Sequence, residues 1–164
     1  MITCYFENKN KTFLRHAVVD GLVIDKNKIL LVKRGPKYSE PNKWALPGGF
    51  VDRDETTQQA SVREILEETG YQTKVISLFT IFDHPDRPAE DRQNISFIYL
   101  LKPIKKIGKS DHEIENTNWF NLDNLPKSEE IAFDHYQMIK LYLKYLKKPF
   151  KLPIFTGSNL SVRS

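Results

Sequence analysis

Several large classes of protein depend on features that this chain lacks. It has one cysteine, Cys4, so it forms no intrachain disulfide and no cysteine-based metal site. No apolar run approaches the roughly 20 residues that a membrane-spanning helix needs. The opening MITCYFENKNK has no apolar stretch behind a basic one, and therefore no visible secretory signal. The expectation is a cytoplasmic protein with no membrane partner. Neither a G-x-G-x-x-G nor a Walker A sequence occurs, which argues against a doubly wound nucleotide fold or a P-loop. Internal repeats and low-complexity linkers are also missing.

What is present suits a soluble globular chain. The 164 residues are 40% apolar, 28% charged and 12% aromatic, enough to bury one core, so a single domain over 1–164 is expected. The net charge of +4 comes largely from lysines after residue 100, at Lys102, Lys105, Lys106, Lys109, Lys140, Lys144, Lys147, Lys148 and Lys151. A nucleic-acid site would want this charge interleaved with aromatics on one face; the preferred reading is a solvated loop and the polar side of a helix, so no nucleic-acid partner is expected. A mildly basic surface does suit an anionic small molecule.

The coarse order is strands, helix, strands, helix. Residues 12–24 (TFLRHAVVDGLVI) read as a strand or a bent strand pair, and 29–33 (ILLVK) as its return after a polar turn. Trp44 to Phe50 reads as a short strand broken by Pro47-Gly48-Gly49. Thr56 and Gln59 resemble a capping box, and Gly70 stands where a helix ends. Residues 71–82 and 95–101 read as strands joined by the polar loop 83–94. A lysine-rich loop is expected over 102–112, then a short strand at Trp119-Phe120. A second helix is expected from about Ser128 to Leu146, with Asp134 and His135 capping by side-chain hydrogen bonds, and then an irregular tail from 148. This order predicts an α/β fold with a mixed sheet and helices packed on it.

One stretch concentrates the chemistry: WALPGGFVDRDETTQQASVREILEETGY, Trp44 to Tyr71. On a helix Glu68 lies about 40° round from Glu64 and Glu67 about 60° the other way, so the three carboxylates share a face. Like charges at i,i+4 repel, and packing does not require them. A hard divalent cation turns that repulsion into attraction, and oxygen-only ligands favour magnesium, with manganese as a substitute, over zinc. Arg63 can form a bidentate pair with Glu55, holding loop to helix. A glutamate-rich helix face is also a common solvated surface. The wider spacing separates the two readings: Gly49, five residues, Glu55, seven residues, Arg63-Glu64-Ile65, one residue, Glu67-Glu68, one residue, Gly70.

That spacing resembles the Nudix box, G-x5-E-x7-R-E-U-x-E-E-x-G-U with U a bulky aliphatic. Every fixed residue is present, and only the last U departs, as Tyr71. Residues 44–50, 82–87 and Ala132-Phe133-Asp134-His135 further resemble the ADP-ribose pyrophosphatase subgroup. The resemblance covers about 12–147 and implies a Nudix-type α/β/α sandwich, leaving the tail 148–164 aside. It implies metal-dependent hydrolysis of a nucleoside diphosphate linked to another moiety, with ADP-ribose giving AMP and ribose 5-phosphate. Glu64, Glu67, Glu68 and the carbonyl of Gly48 or Gly49 would hold the metal, and Glu55 and Arg63 would brace the loop. Glu113 would act as base, with Glu115 as second choice. Arg34, Phe82, Arg87 and Arg92 would meet the substrate. His112 reads as a surface residue. The same box serves house-cleaning nucleoside triphosphate hydrolases and ligand-sensing domains, which are the rival readings. Homodimers are common among such relatives and are an expectation here too.

Overall fold

The computed structural model describes residues 2–87, 93–108 and 114–155. In chain order the elements are β1 (Ile2–Tyr5), β2 (Lys11–Leu14), β3 (Ala17–Asp25), β4 (Lys28–Arg34), β5 (Trp44–Ala45), β6 (Gly48–Phe50), α1 (Thr57–Thr69), β7 (Tyr71–Phe82), β8 (Ile95–Lys106), β9 (Ile114–Asn121), α2 (His135–Lys147) and β10 (Ile154–Phe155). A single 3₁₀ turn, Ser128–Glu130, precedes α2.

Eight strands form one mixed sheet in the order β10-β7-β8-β3-β4-β5, with β6 also on β3 and β9 also on β4. The β3–β8 and β10–β7 pairs are parallel and the others antiparallel. Strand alternation splits the apolar residues between two faces. Val19, Val23, Leu30, Tyr99 and Leu101 pack with Ala60 and Ile65 of α1. Leu22, Ile29, Leu31, Phe79 and Ile98 pack with Met138, Ile139 and Tyr142 of α2. The expected helix–sheet–helix sandwich is therefore the one observed. Among the described residues β1 and β2 pair with each other alone, as a separate two-stranded sheet. The bent strand pair expected over 12–24 is thus two strands in different sheets.

The local signals around α1 hold. Thr56 Oγ1 accepts from the Gln59 N–H at 3.2 Å, and the Gln59 side chain accepts from the Thr56 N–H at 2.8 Å. Gly70 ends the helix at φ 70°. Ile65 is fully buried, while Leu66 is only half-buried.

Three expectations fail where long-range pairing overrides local propensity. The first part of the expected loop 102–112 is strand, since β8 runs on to Lys106 opposite Tyr71. Pro103 is accommodated next to a register shift, where a missing N–H costs least. The second helix does not start near Ser128. Ser128 opens only the 3₁₀ turn: the Ala132 N–H donates to the Trp44 carbonyl at 2.8 Å and Phe133 adopts φ 55°, so the α-helix begins at His135. The tail is not wholly irregular either. β10 covers the open edge of β7, with Thr80 Oγ1 donating to the Ile154 carbonyl at 2.8 Å.

Candidate active site

The Trp44–Tyr71 stretch becomes a site because β6 lies directly on β3, with Val19 opposite Gly49 and Asp20 opposite Gly48. The approach is closest at Gly48. A Cβ at Gly48 would fall 2.0 Å from the Val19 carbonyl oxygen, and one at Gly49 2.5 Å from the Glu64 carboxyl carbon. Gly48 is therefore a steric requirement of laying β6 on β3, whereas a side chain at Gly49 would displace the Glu64 carboxylate.

Arg63 ties this unit together. Its Nε and Nη2 form the expected bidentate pair with Glu55, at 3.1 and 2.6 Å. Nη2 also donates to the Phe50 carbonyl at 3.0 Å, and Nη1 to Glu64 at 2.9 Å and Glu67 at 3.0 Å. Glu55 in turn accepts from the Asp52 N–H at 2.7 Å. The Arg63 hydrogen bonds, opposed by burial and helped by that N–H, hold the Glu55 carboxyl below its ordinary pKa. The same ion pairing raises Arg63. Glu68 is buried, and its carboxylate accepts from the Gly48 N–H at 2.8 Å.

Glu64, Glu67 and Glu68 line one cleft of about 650 Å³ together with Asp20, Asp52, Gly48 and Gly49. Among the described residues no three His, Cys, Asp or Glu side chains converge closely enough to enclose an ion. Glu64 and Glu67 turn instead to Arg63, and Glu68 to Gly48. The donor set still fits a hard divalent cation. It is all oxygen, and burial raises the Glu64 carboxyl, with Arg63 pulling the other way and Glu67 and Asp52 adding to the rise. A cation beside Glu64 would relieve that unfavourable charge.

The cleft also holds Arg34, Lys37, Tyr38, Ser39, Arg87, Asn94, Ser96, Phe133, Asp134 and His135. Arg34 donates from Nε to the Ser39 carbonyl at 2.6 Å. Arg87 lines this cleft and is also bound within the protein. It forms a bidentate pair with Asp134 at 2.5 and 3.0 Å and donates to the carbonyls of Phe82 and Asn94. Phe82 is a correction, since its ring is buried beneath the Arg87 guanidinium and does not line the cleft. Glu115 is half-exposed on β9 and pairs with Lys33 at 3.5 Å, away from the cleft wall. Glu113, Arg92 and His112 lie outside the described residues.

Asp134 and His135 do not cap α2 with their side chains, a second correction. Asp134 is committed to Arg87. His135 Nδ1 accepts from the Leu46 N–H at 2.9 Å, which puts the ring proton on Nε2, 3.5 Å from Asp20. Burial lowers the His135 pKa and keeps the imidazole neutral. Ser96 Oγ donates to the other Asp20 oxygen. Asp20 and Ser96 escaped notice in the sequence, although an acid inside the apolar run VVDGLVI was a visible signal. Asp134→Ala leaves Arg87 largely buried without its counter-charge, and the expected cost is about 3 kcal/mol. A shift in the urea unfolding midpoint measures it, and an unchanged midpoint would show that the pair does not hold the fold.

The comparisons say which family carries this acid-lined cleft on its α/β/α sandwich. The NUDIX domain family matches residues 14–142. An ADP-ribose pyrophosphatase of Methanocaldococcus jannaschii is 42% identical over 140 residues, covering 84% of this chain and 79% of that protein. A NUDIX hydrolase structure from Nitrosomonas europaea superposes with a TM-score of 0.76 at 20% identity, covering 94% of this chain and 91% of that one. A bifunctional NMN adenylyltransferase/ADP ribose pyrophosphatase from Francisella tularensis, complexed with AMP and a manganese ion, is 31% identical with a TM-score of 0.63. It is covered over 42% of its length by 80% of this chain. The chain belongs to the Nudix family and is a Nudix hydrolase.

Proposed function

We propose that this Nudix hydrolase cleaves the pyrophosphate bridge of a nucleoside diphosphate sugar, with ADP-ribose giving AMP and ribose 5-phosphate. One observation carries the reading: the carboxylates of Glu64, Glu67 and Glu68 share a cleft with the cationic side chains of Arg34 and Lys37. Such a cleft offers oxygen ligands for a cation and positive charge for phosphates together. The 42% identity to an ADP-ribose pyrophosphatase supports the choice of substrate.

Glu64, Glu67, Glu68 and the Gly48 carbonyl would hold a divalent cation, magnesium or in its place manganese. When bound, such an ion neutralises pyrophosphate charge and lowers the pKa of water. Arg63 and Glu55 keep the helix and the loop in register, and Arg34 and Lys37 orient the phosphates. Water oxygen attacks one phosphorus as the bridging P–O bond breaks. The departing phosphate keeps the bond's electrons, and a carboxylate accepts the water's proton, Glu113 being the candidate.

The expected result is release of AMP and ribose 5-phosphate from ADP-ribose with magnesium or manganese. Its kcat/KM should exceed that for nucleoside triphosphates in the same panel. No turnover of any nucleoside diphosphate sugar, or a preference for triphosphates, would overturn the assignment.

A further inference from the structure

The turn that carries Gly48 and Gly49 is tied down from several sides. Trp44, on its approach, bridges Ile131 in parallel, and its carbonyl accepts from the Ala132 N–H at 2.8 Å. The Pro47 carbonyl accepts from the Gly21 N–H of β3 at 2.8 Å. The Gly48 N–H donates to Glu68 of α1 at 2.8 Å. Between these points Pro47 has no N–H to offer. The Leu46 N–H, on a residue only 2% exposed, does need an acceptor. The parallel pairing begun at Trp44 does not supply one, because Phe133 turns the chain at φ 55°. A side chain takes the place of a carbonyl, and His135 Nδ1 accepts at 2.9 Å.

The surroundings keep the ring in that role. Burial holds the imidazole neutral, so Nδ1 retains its lone pair. Asp20 stands 3.5 Å from Nε2 and favours the proton there, while Ser96 donates to the other Asp20 oxygen. The contacts thus run from Ser96 through Asp20 and His135 to the backbone just before Pro47-Gly48. Asp20, Leu46, Gly48, Glu68 and His135 all border the same cleft.

We propose that His135, oriented by Asp20, is a positioning residue for hydrolysis. By accepting from Leu46 it sets where the turn presents the Gly48 carbonyl and the Glu68 carboxylate to the cleft. The inference rests on the reading of those two groups as holders of a divalent cation. Partners that orient such holders matter nearly as much as the holders themselves, and a small misplacement is costly. A ring that only fills space makes a different forecast. Asparagine, which leaves the larger void, would then be the worse replacement and glutamine the better.

The test exploits that difference on the whole chain. An asparagine oxygen can stand where Nδ1 stands, whereas a glutamine amide nitrogen can stand where Nε2 stands. His135→Asn therefore keeps the acceptor for Leu46, and His135→Gln keeps only the donor towards Asp20. Amide hydrogen exchange of Leu46, as a ratio to Leu22 in the core of β3, reads the bond without metal or substrate. Manganese affinity is measured by calorimetry. Steady-state kinetics use whichever nucleotide the wild type cleaves fastest. In His135→Gln the Leu46 ratio should rise roughly tenfold or more, with kcat and manganese affinity each lowered roughly 10- to 100-fold. KM should move much less than kcat, and His135→Asn should recover most of each loss. Should His135→Gln unfold, His135→Leu, which also lacks an acceptor, takes its place.

An unchanged Leu46 ratio in His135→Gln, undiminished kcat there, or an equal or larger loss in His135→Asn would each overturn the role. The broader reading fails separately. A wild type that prefers triphosphates removes the sugar substrate and leaves this comparison in force on the triphosphate. A wild type that cleaves none of the panel leaves Leu46 exchange and manganese affinity to decide. A wild type that cleaves ADP-ribose, with full kcat in His135→Gln, removes the positioning role alone.

Discussion

Glu64→Gln is expected to lower ADP-ribose turnover by about a thousandfold while leaving the protein at least as stable as the wild type. The two halves of that result have one cause. The Glu64 side chain is only 16% exposed, and its carboxyl is pushed up chiefly by burial. The fold therefore carries an unfavourable charge there that packing alone would not select. A neutral amide of the same shape removes this penalty, so the melting temperature should hold or rise. The amide also removes the negative charge that would hold a divalent cation against the pyrophosphate, a contribution of several kcal/mol to the transition state. Steady-state kinetics with magnesium and a thermal melt without it check the two halves. Undiminished turnover would remove Glu64 from the metal site. A melting temperature several degrees lower would mean that the carboxylate is there for the fold.

The box was legible because its physics is local. Seven fixed positions lie within about six turns of loop and helix, and the pairing of Arg63 with Glu55 follows from reach and charge alone. Helix periodicity likewise placed Glu64, Glu67 and Glu68 together. The far side of the cleft was not legible, because contacts distant in sequence build it. Arg87 and Asp134 each drew notice, but nothing local shows that they meet across 47 positions. Asp20 and His135 meet only because β3 alternation turns Asp20 to the α2 face, where Leu22 also points. The Ser128 start proposed for α2 failed for the same kind of reason. Local periodicity favoured helix, and a single hydrogen bond from Ala132 to the distant Trp44 carbonyl delayed it. Phe82 shows the converse error, since an aromatic beside a polar loop looked available and is instead the floor under Arg87.

Arg63→Ala should damage both fold and activity, in contrast to Glu64→Gln. One guanidinium satisfies Glu55, Glu64, Glu67 and the Phe50 carbonyl, with Asp52 a further 3.7 Å away. Removing it leaves four carboxylates around a partly buried hole. The side chain is 29% exposed, so solvent screening tempers the loss. An expected cost of about 2 kcal/mol corresponds to a melting temperature lower by roughly 4–8 °C. Activity should fall about a hundredfold, since the loop carrying Gly48 and Gly49 is no longer held in register with the helix acids. The pH dependence identifies the mechanism. The Glu55 carboxyl is depressed in the folded state by Arg63, so its contribution to stability is complete above the ordinary glutamate range and is lost as pH falls through the depressed value. Arg63→Ala should flatten that acid limb, as should Glu55→Gln. Arg63→Lys should recover little of it, because an ammonium cannot reproduce the bidentate fork. An acid limb as steep in Arg63→Ala as in the wild type would show that the pair contributes no stability. The brace would then act only by placing the loop over the helix.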